Sequence, residues 1–401
     1  MLLFAAMPRI SRRAREAYRS PIRELEDEAD AARARGTRVL HLNIGQPDLH
    51  TPPAARRALA AFDDPVLAYG PARGTDAYRD ALVRYYRRWG VELERGDVNV
   101  TTGASEAIWL TLNAICDPGD EVVVPEPFYA LYNGFLQLSD ARVAPVPTRL
   151  EDAFALPPAA ALEAAVTERT RAILLCNPSN PTGQVYTADE LAAIGELAAR
   201  HDLYVVVDEV YREFVYDGLA FTSALAVPAL RERAVVIDSV SKRYSACGAR
   251  IGSVASRDRD LMLAITRLAR FRLCPPTLGQ HVCEAILREE GDYIAEARAE
   301  YDRRRRLLYD GLRAIPGVRT YLPRGAFYCF AELPVDDAEA FARWLLRDFA
   351  HEGHTVMLAP GAGFYATPGL GRREVRIAYV LNARDLERAL ACLRAGLAKY
   401  G

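Results

Sequence analysis

From Asp97 to Ser256 the chain alternates short apolar runs with helix-forming stretches, and this alternation narrows the possible folds more than any other feature. The runs cover residues 98–101, 121–124, 171–175, 203–207, 235–237 and 251–255, with helical segments such as 104–115 and 188–200 between them. Strands that are apolar on both faces must be covered on both faces, which is the habit of parallel sheets with helical crossovers. The expected fold class is therefore α/β: a large domain whose mostly parallel sheet is sandwiched by helices. At 401 residues the chain is too long for one ordinary core, and a second unit is expected.

The remainder of the chain has a different character. Residues 318–322 and 327–333 read as a hairpin, 338–351 as a helix, 355–358 and 375–380 as strands, and 383–397 as a closing amphipathic helix. Near the N-terminus, Ile22, Leu25, Ala29 and Ala32 recur at helical spacing, Gly36 stops that helix, and a short strand follows at 39–42. These pieces suggest a small, discontinuous α+β domain. The expected division is residues 1–50 as arm and helix of the small domain, 51–289 as the large domain, and 290–401 as the small C-terminal domain.

Charge and cysteine usage exclude several classes. Lys and Arg number 51 against 53 acidic residues, so the net charge is −2 and no basic surface for nucleic acid is expected. The densest basic block, Arg303 to Arg306, spreads around a helix. The seven cysteines are scattered without a C-x-x-C pair, which argues against a disulfide framework or zinc site and for a reducing, cytoplasmic setting. No apolar run approaches the ~18 residues of a membrane span. The opening six residues are too short for a secretory leader, and Met7 is an alternative start to Met1.

Only two of the 51 basic residues are lysines, Lys242 and Lys399. Arg cannot lose its proton in a protein, whereas a Lys amine can, and can then form an imine with a carbonyl. A chain that uses Arg almost everywhere yet keeps Lys242 directly behind an apolar run suggests a task closed to Arg. A surface lysine at a strand end is the plainer alternative, and the neighbourhood has to decide. Four loops at the C-terminal ends of expected strands carry polar chemistry, which is where parallel sheets place ligands. Thr102-Gly103-Ala104-Ser105 opens a helix and offers free N–H groups to a phosphate. The Asn177–Gly183 loop can aim the Asn180 amide at a ligand. Asp208 closes an apolar strand, at a cost unless a partner awaits it, and Tyr211 follows. Ser239, Lys242 and Arg250 come last. A phosphate cup, carboxylate, phenol, amide and imine-forming amine together match the needs of pyridoxal 5′-phosphate.

With Ser239-Val240-Ser241-Lys242, Gly248-Ala249-Arg250-Ile251-Gly252, Asn43-Ile44-Gly45-Gln46-Pro47-Asp48 and Val375-Arg376-Ile377-Ala378-Tyr379, the chain resembles the fold-type I aminotransferases of class I/II over nearly its whole length. The resemblance implies a role for each position. Lys242 would carry the cofactor and shuttle a proton; Asp208 would pair with the ring nitrogen; Tyr211 and Asn180 would bond the ring hydroxyl. Gly103, Ala104, Ser105, Ser239 and Arg250 would hold the phosphate, and Tyr129, one residue from the alternative Phe128, would stack on the ring. Arg376 would clamp the substrate α-carboxylate with Asn180 and the Gly45 backbone. Tyr69 would reach the phosphate of a neighbouring subunit, which implies a homodimer with shared active sites.

The substrates implied are an amino acid and a 2-oxo acid, with no metal. Aspartate-specific bacterial relatives of this type carry Lys where Ser105 stands, so a neutral, aromatic or alanine-type donor with 2-oxoglutarate or pyruvate as acceptor is favoured. Ile22 adds an apolar wall. Arg23, Arg267, Arg270 or Arg272 could supply a cation, though each reads first as a solvated arginine. Segment 360–369, rich in Gly, is expected to line the entrance and to move on closure. Rival readings are aspartate transamination through a different carboxylate site, a C–S β-lyase on the same scaffold, and a non-enzymatic regulator. The regulator would need an N-terminal winged helix, for which some fifty residues of arm and helix leave no room. A dinucleotide-binding dehydrogenase lacks G-x-G-x-x-G between strand and helix.

Overall fold

The structure is a computed structural model and describes residues 8–400, so the choice between Met1 and Met7 lies outside the described residues. A helix, Glu26–Ala34, leads into strand β1 (Arg38–His41). Seven strands then build the large sheet: β2 (Val98–Thr101), β3 (Glu121–Glu126), β4 (Arg142–Pro147), β5 (Thr170–Cys176), β6 (Tyr204–Asp208), β7 (Ala234–Ser239) and β8 (Gly252–Ala255). Their order is β2-β8-β7-β6-β5-β3-β4, and only β8 runs against its neighbours. Reversing that one strand leaves the C-terminal ends of β2, β5, β6 and β7 on a common edge.

Period-two alternation assigns the side chains to two faces. Val205 and Val207 of β6 pack with Leu82, Tyr86, Ile194 and Leu197 on one side. Val206 points the other way, with Val235 and Ile237, onto Ile108, Leu112 and Ile265. Each such fully buried side chain contributes roughly 1.5–3 kcal/mol. Helix Ala188–Arg200 starts at a reciprocal cap between Thr187 and Glu190, and helix Gly103–Ile115 covers the opposite face.

The C-terminal part adds β9 (Arg319–Thr320), β10 (Tyr328–Glu332), β11 (His354–Met357), β12 (Ala359–Pro360) and β13 (Glu374–Ala378). β1 pairs in parallel with β11, and β12-β13-β10-β9 form an antiparallel sheet. Leu25, Ala29 and Leu40 share a core with Phe341, Leu345, Val356 and Leu386, so the N-terminal helix packs against the C-terminal elements.

The structure differs from the sequence expectations in three places. β4 is absent from them because it is an edge strand, half exposed, with Pro145 and Pro147 interrupting its apolar pattern. The helical stretch after 277 is two helices, Thr277–Glu289 and Tyr293–Arg313, parted at Gly291 with φ +54°. Ile22 precedes the N-terminal helix in a turn. Among the described residues, no helix is long and apolar enough to cross a membrane.

Candidate active site

The common strand edge opens onto a cavity of about 430 Å³. Beside Ala104 and Ser105 on its wall, Gly103 takes φ +76°, a backbone conformation that favours glycine, with the Arg250 guanidinium packed against it at the turn from β2 into the helix. Thr102 supplies no side-chain cap, which leaves the first N–H groups of helix Gly103–Ile115 open beside Ala104 and Ser105. Arg250 leans over the same turn, donating to Cys247 O at 3.0 Å and Thr102 O at 3.4 Å. Ser239 Oγ accepts from Ser241 N–H at 3.2 Å and donates to Ile251 O at 2.8 Å, tying β7 to the strand that follows.

Lys242 reaches across the cavity, its Nζ donating to Gly45 O at 2.8 Å. Asp208 faces it from the end of β6. Its Oδ2 accepts from the Tyr132 hydroxyl at 3.1 Å and its Oδ1 from Val210 N–H at 3.2 Å. Burial pushes the Asp208 carboxyl up to about 6, against the pull of those two bonds and of Lys242. The Tyr211 hydroxyl shares a 2.9 Å hydrogen bond with that of Tyr328, and burial raises Tyr211 well above the ordinary phenol range. Tyr129 lines the cavity, whereas Phe128 packs into the core against Tyr132.

Arg376 on β13 is 1 % exposed. Its Nη1 donates to Asn180 Oδ1 at 2.9 Å and its Nη2 to Asn43 O, while Nε has no partner. The guanidinium lies between the rings of Tyr328 (4.4 Å) and Phe364 (5.0 Å). No carboxylate among the described residues pairs with it. A buried cation without an anion is costly, so the site awaits one.

Behind Asp208 and Lys242, on the other face of the sheet, a charge cluster holds both strand ends. Arg243 bonds Asp238 at 2.8 and 3.2 Å, and Arg212 lies 3.2 Å from Glu209 and 3.8 Å from Asp238. All four are buried, with Tyr85 and Tyr86 stacked on the guanidinium groups, and burial raises the Glu209 carboxyl.

The remaining expectations divide. Ile22 and Gly45 line the cavity, as does Arg23. Tyr69 lies outside it, 82 % exposed. Arg267, Arg270 and Arg272 are not in the cavity wall, and Arg272 is tied to Glu106, Ala72 O and Val100 O. Segment 360–369 is not part of the cavity wall, although its Phe364 ring backs Arg376. Glu126 accepts from Ala366 and Thr367 N–H, and Phe128 N–H donates to Phe364 O, so the segment is fastened to the end of β3. Sequence reasoning passed over Tyr132, Tyr328 and Asn43. Tyr132 lies three residues after Tyr129, a helical spacing that could have flagged it; Asn43 opens the Asn43–Asp48 motif without having been given a role, and Tyr328 has no local signal.

Residues 37–393 match the family model described as aminotransferase class I and II. The chain belongs to this family. Among its relatives, an aspartate aminotransferase of Geobacillus stearothermophilus is 32 % identical over 91 % of this chain and 93 % of that one. An asparagine–oxo-acid transaminase of Streptococcus mutans is 31 % identical, covering 98 % of this chain and all of its own. The solved alanine aminotransferase of Pyrococcus furiosus superposes with a TM-score of 0.89 at 30 % identity, covering 98 % of this chain and 100 % of the other. The protein is a transaminase of fold type I, and members of its family use pyridoxal phosphate. The residues present fit that cofactor: an anion cup at the Gly103 turn, a lysine amine held by a carbonyl oxygen, and a buried carboxylate facing it.

Proposed function

We propose that this aminotransferase takes the amino group from neutral, aromatic or alanine-type L-amino acids and delivers it to a 2-oxo acid such as 2-oxoglutarate. The observation that carries the reading is Arg376, a buried cation without a protein anion, on the wall of the cavity that Lys242 enters. A monocarboxylate at Arg376 completes the site; Ser105 and Ile22 offer no charge to a donor side chain. The relatives are named for aspartate, asparagine and alanine, so the family itself spans charged and neutral donors.

Bound pyridoxal phosphate supplies an aldehyde for an amine and a ring that withdraws electrons from the substrate Cα. Arg376 binds the α-carboxylate, and the Asn180 amide, oriented by its bond to Arg376, helps to orient it. Asp208 holds a proton at the ring nitrogen, and Tyr132 and Val210 keep the carboxylate in place. The Tyr211 hydroxyl, set by its bond to Tyr328, would hold the ring hydroxyl of the cofactor, and Tyr129 on the cavity wall would cover its ring. Lys242 Nζ would carry the cofactor's aldehyde and, as the amine nearest the substrate Cα, would move the proton taken from that carbon. Gly103, Ala104, Ser105, Ser239 and Arg250 hold the phosphate. Residues 1–50 and 290–401 act as the small domain against residues 51–289, and the shared core of helix Glu26–Ala34 with Phe341 and Leu345 supports that division. The working form is a homodimer in which Tyr69 reaches the partner's phosphate, and the seven free cysteines favour the cytoplasm.

Half-reactions with each of the twenty amino acids, followed by the absorbance change of the cofactor, test the donor preference. Alanine, aliphatic or aromatic donors should exceed aspartate in kcat/KM by about tenfold, the scale of one missing charge contact. Aspartate matching them removes the preference, and uniform inertness removes transamination.

A further inference from the structure

Four cations reach the cavity: Arg23, Lys242, Arg250 and Arg376. Three are committed. Lys242 is the attachment amine, Arg250 leans over the anion cup, and Arg376 is locked between Asn180, Asn43 and two aromatic rings. Arg23 is the remaining one, and it makes no ion pair among the described residues. Of the acidic residues in the adjoining groove, Glu28 is held by Arg343 and Arg347 and Glu24 by Arg19 at 3.7 Å, while Asp27, four residues on, makes no ion pair with Arg23. Arg23 lines both the cavity and the adjoining groove of mixed charge, where Arg19, Arg343 and Arg347 face Glu24, Asp27 and Glu28.

The backbone that carries Arg23 is registered to the carboxylate clamp. Asn43 Nδ2 donates to Ile22 O at 2.6 Å, and the Asn43 carbonyl accepts from Arg376. Asn43 is fully buried, so Ile22 and Arg23 stand at a position fixed by Arg376 through a single residue. The turn is closed by Arg23 N–H to Ser20 O at 3.1 Å and Glu26 N–H to Arg23 O at 3.1 Å. A ligand held at Arg376 by one carboxylate therefore meets, on this arm, an apolar side chain and a free guanidinium side by side. Resting on the transaminase reading above, we infer that Arg23 is the specificity-determining cation of the site, binding the distal carboxylate of five-carbon dicarboxylic substrates while Ile22 packs on neutral ones. That arrangement lets one cavity accept a neutral donor and a dicarboxylic acceptor in turn, without a fixed cation at Ser105. An exposed arginine stays charged at no desolvation cost while it waits, and its attraction strengthens once the ligand displaces water from the rim.

The test uses the cofactor-loaded protein with two unreactive acids, glutarate and butyrate, whose binding is read from the cofactor absorbance. The wild type should bind glutarate more tightly, and Arg23→Gln should lower the glutarate-to-butyrate affinity ratio at least fivefold. Arg23→Lys should restore part of it, and raising the salt concentration should weaken glutarate alone. In the half-reactions the glutamate-to-alanine ratio of kcat/KM should fall by the same factor. Unchanged ratios in Arg23→Gln, or equal loss for both acids, overturn the assignment. Failure of alanine to react with the wild type would instead overturn the donor preference, and the two-acid binding ratio would still decide the role of Arg23.

Discussion

Asp208 shows how burial sets the properties of one group. Removal from water lifts its carboxyl to about 6 from an ordinary 3.8. Between those values the folded, cofactor-free chain retains a proton that the unfolded chain has released. Stability from this residue is therefore complete below about pH 4 and is lost as the pH rises through 6. Asp208→Asn removes the titration. The unfolding free energy of the wild type minus that of the variant should fall by on the order of 3 kcal/mol between pH 4 and pH 7. Urea unfolding of the cofactor-free proteins at both pH values measures the difference, and a constant difference would exclude burial as the cause. With cofactor bound, the same variant should lose transamination by about a hundredfold or more, as removal of a pre-placed charge usually does. Asp208 was legible in the sequence because a carboxylate at the end of an apolar strand needs a reason. Tyr328 was not, because its contact with Tyr211 joins residues far apart in the chain.

The elements were legible wherever burial wrote a period into the sequence. β2, β5, β6 and β7 are buried on both faces, and each was visible as an apolar run to within two residues at either end. β4 was not, since an edge strand is selected for something other than apolarity. Nor could the sequence say that segment 360–369, rich in glycine, is fastened by Glu126, because a carboxylate capping a distant loop leaves no local trace. Packing between elements was equally invisible, and Gly252 at the start of β8 gives a test of it. A Cβ there would approach Ala104 N at 2.7 Å and Asp238 O at 2.9 Å, pressing on the anion cup and on the strand that delivers Lys242. Overpacking of this kind costs about 1–3 kcal/mol. Gly252→Ala should fold, since its backbone φ lies outside the left-handed region, and should release the cofactor roughly tenfold more readily. Dialysis against cofactor-free buffer with absorbance readings checks it; full retention would show that the cup tolerates displacement.

At the scale of the molecule, one surface lacks the polarity expected of it. Val66, Leu67 and Tyr69 are 71, 64 and 82 % exposed, and Phe271 and Leu273 are 90 and 51 % exposed. The two loops come close, since a Cβ built on Gly70 would lie 3.6 Å from the Thr277 hydroxyl and 3.9 Å from Cys274. Exposed apolar side chains on neighbouring loops are the kind of surface a partner covers. If a second copy of the chain covers these loops, that explains both their exposure and the position of Tyr69, which does not line the cavity of its own chain. Phe271→Asp places a charge in that interface and forfeits the roughly 1.5–3 kcal/mol of one buried ring, so it should raise the dimer dissociation constant at least tenfold. Tyr69→Phe should leave association intact and weaken cofactor retention alone. Sedimentation resolves the monomer of 44.4 kDa from its dimer, and the cofactor absorbance of each species reports retention. A wild-type protein that sediments as a monomer while holding cofactor and turning over would detach Tyr69 from the site. Loss of cofactor in Phe271→Asp in step with loss of the dimer would instead locate part of each active site on the neighbouring chain, and the exposed tyrosine would then be doing across the interface what it does not do within its own subunit.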